Sequence, residues 1–73
     1  MNKIQIHPDI CNGKPTISGT RITVQTIMGF LAAGDSIPDI LEEYPNLTED
    51  DIYACLQFVT KLMARSYQIK EIA

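Results

Sequence analysis

The sequence predicts a mainly α fold: three helices preceded by a short, turn-rich N-terminal β segment. Two observations carry this. From residue 24 onward, apolar residues recur at helical spacing in three blocks, each opened by a hydroxyl residue, the first two closed by Gly34 and Pro45. Ahead of them, His7 to Val24 holds two Pro and two Gly in 18 residues, yet keeps Ile10, Ile17, Ile22 and Val24 apolar. That pattern fits a folded element with fixed turns and not a linker.

Ile4-Gln5-Ile6 alternates apolar and polar, as a short strand does, and Pro8 breaks it. Asn12-Gly13 is a turn dipeptide and Pro15 cannot donate to a ladder, so residues 11–16 read as loop, with Gly13, Pro15 and Gly19 as structural turn residues. Thr16-Ile17-Ser18 and Arg21-Ile22-Thr23 flank Gly19-Thr20, a spacing for a small hairpin or for two irregular extended pieces. Thr23 can cap a first helix over 24–33, with Val24, Ile27, Met28 and Leu31 as its stripe and Gly34 in the left-handed position beyond it. Ser36 can cap a second helix over 37–44, striped by Ile37, Ile40, Leu41 and Tyr44 and stopped by Pro45. Thr48, with Asp51 at the capping-box position, opens a third helix over 49–65, striped by Ile52, Cys55, Leu56, Val59, Leu62 and Met63. Residues 66–73, with Tyr67, Ile69 and Ile72, read as a tail that is frayed or orders against a partner.

With 73 residues the chain is expected to form one domain: an extended segment 1–23, a helical core 24–65 and the tail. A chain this short buries only about 60% of its unfolded surface, so a homo-oligomer or another partner is expected. At 45% hydrophobic and 21% charged residues the composition excludes a disordered chain. No apolar run approaches a membrane span, and no basic-then-apolar leader opens the chain, so a cytoplasmic location is the expectation. Cys11 and Cys55 read as small apolar fillers in a reducing compartment.

Net charge is −3, and its distribution says more. Residues 25–60 carry seven carboxylates and no Lys or Arg, whereas 1–24 and 61–73 each carry a net +2. Such separation steers partners. Acids at helix N-termini also complement the macrodipole, which accounts for Asp39 and for Glu49, Asp50 and Asp51.

The run His7-Pro8, Cys11, Gly13-Lys14-Pro15, Ile17 and Gly19-Thr20-Arg21-Ile22 resembles the uncharacterised-domain family 433 (DUF433). The likeness continues through Gly34, Ser36, Ile40-Leu41, Tyr44-Pro45, Leu47-Thr48 and Asp51-Ile52, and so covers about residues 4–60. The resemblance implies a homeodomain-like or winged-helix core and an antitoxin-like role. It also implies a neighbouring PIN-like ribonuclease toxin, which the protein would neutralise while repressing its own operon.

Three helices with a short second and a longer third match the helix-turn-helix layout, in which 37–44 and 49–65 form the pair. The residues fit DNA reading poorly, because the exposed positions of that first turn include Glu49 and Asp50, and carboxylates beside phosphates cost affinity. Gln57 has the chemistry to bond a base edge. Lys3, Lys14, Arg21, Lys61 and Arg65 are the candidates for phosphate or acidic-partner contact. Arg21 either anchors such a partner through its planar fork or pairs internally with Asp9 or a carboxylate of the second helix. Lys14 lacks the Gly-x-x-x-x-Gly-Lys context of a phosphate loop. His7, Cys11 and Cys55 fall short of the four ligands of a structural zinc site, and His7 is expected to bond nearby backbone. No cofactor, metal or catalytic residue is expected. Phe30, Tyr53 and Phe58 lie at stripe edges, where an aromatic serves core or interface.

The function expected is thus an antitoxin that binds a PIN-like nuclease. The alternative is an interaction or oligomerisation module that never touches DNA, and a free-standing DNA binder is the third.

Overall fold

Helix caps explain most of the architecture. A computed structural model of the chain describes residues 3–67. Strand β1 (Ile4–Gln5) pairs antiparallel with β2 (Thr16–Ile17), Ile4 opposite Ile17 and Gln5 opposite Thr16. Helices α1 (Val24–Ala32), α2 (Ile37–Glu43) and α3 (Glu49–Tyr67) follow.

Thr23 caps α1, its hydroxyl accepting from the Thr26 amide at 3.1 Å. The helix closes in a Schellman arrangement: Gly34 N–H donates to Leu31 O and Asp35 N–H to Phe30 O, each at 3.0 Å, with Gly34 at φ +99°. A reciprocal capping box opens α2, in which Asp39 N–H donates to Ser36 Oγ and Ser36 N–H donates to Asp39 Oδ2. Thr48 and Asp51 build the same box at α3, at 2.9 and 3.4 Å. Helices α1 and α2 end within one residue of expectation. Tyr44, before Pro45, leaves helical geometry (φ −124°, ψ 78°), which ends α2 at Glu43. No breaker follows Arg65, so α3 runs on to Tyr67. Ile69 and Ile72 of the expected tail lie outside the described residues.

The β segment differs from its sequence reading. Ile6 does not join β1 and is 62% exposed, while Thr16, read both as the end of the 11–16 loop and as the start of an extended piece, takes the second role and is in the centre of the segment. Thr16 bridges to Thr23 on its other side, Ile17 N–H donates to Ile22 O, and Val24 N–H donates to Pro15 O. The 16–24 stretch is therefore a hairpin-like turn whose first arm also pairs with β1.

Ile17, Val24, Ile27, Ile40, Leu47, Ile52 and Cys55 form the buried core. Each large aliphatic side chain there contributes roughly 1.5–3 kcal/mol of burial. Met28, Phe30, Leu31, Ile37, Leu41, Tyr44, Phe58 and Val59 pack around it half-buried. Phe30 meets Tyr44 edge to face, with ring centroids 5.9 Å apart. Leu62 and Met63, expected in the α3 stripe, are 52% and 46% exposed. The reason is length: α3, at 19 residues and about 28 Å, outruns α1 with nine and α2 with seven.

Candidate functional site: the turn segment and the α3 face

The turn segment is held by its own atoms. Ile17 O accepts from Thr20 N–H at 3.0 Å around Ser18-Gly19, a turn that needs the positive φ of Gly19, +81°. The Thr20 hydroxyl donates to Ile17 O at 2.8 Å and accepts from Ile22 N–H at 3.0 Å. Upstream, Cys11, Asn12 and Gly13 form a 3-10 turn with φ of +51°, +57° and +79°. The left-handed conformation costs a non-glycine residue such as Cys11 roughly 1–2 kcal/mol. The Cys11 thiol donates to the Arg21 carbonyl at 3.3 Å and ties the two turns together. His7 accepts the Asp9 amide on Nδ1 at 3.1 Å, the backbone bond expected of it. Gly13, Gly19, Thr20 and Cys11 thus act in folding. The Arg21 side chain takes no part: it is exposed, and among the described residues it forms no ion pair with Asp9 or α2, which corrects that alternative.

The cations spread over different surfaces. Lys3, Gln57 and Lys61 come together with Ile4, Asp50, Tyr53, Ala54 and Phe58 around an open groove of about 540 Å³ between β1 and α3. Lys3 is not free in it, since its Nζ lies 3.5 Å from Asp51 Oδ1. Lys14 lies instead on the rim of a second, apolar groove of about 330 Å³ formed with Pro15, Val24, Met28, Phe58, Val59 and Leu62. Phe58 is shared by both grooves. Arg65, exposed in the last turn of α3, lines neither. Sequence reasoning missed Asp50, Ala54 and Tyr53 as groove residues. The i, i+4, i+7, i+11 spacing of Asp50, Ala54, Gln57 and Lys61 marks the face that carries the groove.

Asp39 and Cys55 are titrating groups whose surroundings shift them. The Asp39 carboxyl is held below its ordinary 3.8 by the Ser36 amide first and the Ser36 hydroxyl second. Burial, helped by the Asp51 charge, pushes the Cys55 thiol up to about 11, so it stays protonated and unreactive. Among the described residues no three His, Cys, Asp or Glu side chains group as metal ligands. Among them, too, no helix is long and apolar enough to cross a membrane.

A family model described as "Protein of unknown function (DUF433)" matches residues 4–59, most of the chain. The chain belongs to the DUF433 family. A crystal structure of a DUF433 member protein from Anabaena variabilis superposes with a TM-score of 0.82 at 32% identity, over 89% of this chain and 64% of that one. An uncharacterised protein y4eO of Sinorhizobium fredii is 40% identical over 45 residues, 62% of this chain. The DUF433 chain spans only a fifth of the length of that relative. The family match takes in both turns and all three caps but ends at Val59, ahead of Lys61 and Arg65.

Proposed function

We propose that this DUF433 protein is a non-enzymatic, cytoplasmic regulatory module, the antitoxin half of a type II toxin–antitoxin pair that docks an acidic edge onto a basic surface of a PIN-like nuclease. The observation that carries the proposal is the placement of Glu42 and Glu43. They occupy the last turn of α2, the end where the helix dipole is negative, and both are exposed without an ion-pair partner among the described residues. Carboxylates there cost the helix about 0.3–1 kcal/mol each. Capping explains Asp39 and Asp51 but not this pair, whereas charge complementarity to a cationic RNA-binding groove does.

The test is native recovery of the tagged protein from its own cells, with mass spectrometry of what co-purifies. Wild type is expected to bring down a small PIN-like nuclease, and the Glu42→Lys/Glu43→Lys variant to lose it while melting no lower than wild type. Recovery of the protein without a nuclease, or equal recovery by the variant, overturns the proposal.

The DNA-repressing part of this role would run through Lys14, Arg21, Lys61 and Arg65, since the first turn of α3 holds Glu49, Asp50 and Asp51. That acidic turn favours a second reading, a protein-interaction and homo-oligomerisation module without DNA binding. DNA affinity that falls steeply with added salt supports repression, and its absence at low salt supports the second reading.

A further inference from the structure

We infer that the groove between β1 and α3 seats the α3 helix of a second copy, antiparallel and related by a two-fold axis. The inference rests on the homo-oligomer reading above and does not depend on the nuclease.

The face is self-complementary. Asp50, Ala54, Gln57 and Lys61 fall within one narrow arc of α3, because eleven residues make just over three whole turns, and the stripe is about 16 Å long. A two-fold axis midway between Ala54 and Gln57 lays this stripe on its own copy. Asp50 then meets the second copy's Lys61 at both ends, Ala54 faces Gln57 at the crossing, and Tyr53, 46% exposed, flanks the contact. Such an isologous contact uses one patch twice. Parallel pairing is excluded by charge, since it sets Asp50 against Asp50 and Lys61 against Lys61. Within one chain Asp50 and Lys61 are both exposed and form no ion pair among the described residues. Lys3, the nearby cation of the groove, is already engaged by Asp51. Ala54, the small residue at the crossing, lets the two helices approach. Three turns from each copy make a small interface, and the dimer is therefore concentration-dependent.

The experiment is sedimentation equilibrium of the full chain over a range of concentration, with circular dichroism to confirm folding. Wild type is expected to dimerise, and more weakly as salt is added. Asp50→Lys and Lys61→Glu each replace two attractive contacts by two repulsive ones and are expected to weaken the dimer about tenfold or more. The double variant, and an equimolar mixture of the two single variants, restore opposite charges across the axis and are expected to restore dimerisation. Should Asp50→Lys disturb the α3 cap, Lys61→Glu in mid-helix still gives a folded test against wild type. A wild type that stays monomeric, single variants that dimerise like wild type, or a double variant that fails to recover each overturn the inference. So does a groove that binds only a different protein. Success or failure here is separate from the nuclease test, which depends on Glu42 and Glu43.

Discussion

Thr16 carries a buried hydroxyl, Oγ1, that the fold leaves unpaired among the described residues. The residue is fully buried between β1 and Thr23. A buried hydroxyl left unpaired costs about 1–3 kcal/mol. Thr16→Val keeps the shape and the β-branch and removes that cost. It is expected to stabilise the protein by about 1 kcal/mol or more in chemical denaturation; equal or lower stability would mean that the hydroxyl is satisfied in solution. Thr20 is the opposite case, because its hydroxyl both donates and accepts inside the turn. The Gly-Thr-Arg motif therefore divides: Gly19 and Thr20 build the turn, and Arg21 is the member left facing solvent.

At the scale of elements, α2 is only seven residues long and depends on its ends. Helices this short are marginal in isolation, so the Ser36–Asp39 box matters more here than in a long helix. The Asp39 carboxyl is lowered in the fold, so its contribution is present at pH values above its ordinary 3.8 and is lost as pH falls below that toward the folded value. Melting curves of wild type and Asp39→Asn against pH are expected to differ by a constant amount well above the ordinary 3.8 and to converge below it. A difference that persists unchanged into strong acid would show that the carboxylate is not what caps α2. The long α3 has the reverse property. Its first half is committed to the core through Ile52 and Cys55, and Thr60 to Arg65 all face solvent. The exposure of Lys61 is what leaves it available to a partner.

For the whole molecule, one core joins the turn segment to the three helices through Ile17, Ile27, Ile40 and Ile52, each at most 2% exposed. Cys55 sits inside it as a neutral thiol. Its raised pKa favours the folded state below the ordinary 9.0, and that contribution fades as pH rises from 9.0 toward about 11. Alkylation by iodoacetamide near neutral pH is expected to reach Cys55 only as fast as the protein unfolds globally, and so to track denaturant concentration. Rapid native alkylation of Cys55 would mean that the core opens locally at α3. Cys11, half-buried on the turn, lies outside this protection.

The sequence by itself determined where the three helices begin and, to within a residue, where α1 and α2 end. Their caps are hydrogen bonds between residues three apart, and such contacts are decided before any packing. It also exposed the turn chemistry of Gly13, Gly19 and Gly34, because positive φ is a local demand. Only the tertiary structure decided which strand pairs with which, since β1 reaches β2 across ten residues of loop whose course no local rule sets. It decided that Leu62 and Met63 stay outside the core, because coverage depends on the relative lengths of packed helices. And it decided that Lys3 joins Gln57 and Lys61 on one groove while Lys14, Arg21 and Arg65 face elsewhere. Those residues lie far apart along the chain, and only packing β1 against α3 sets the distance between them.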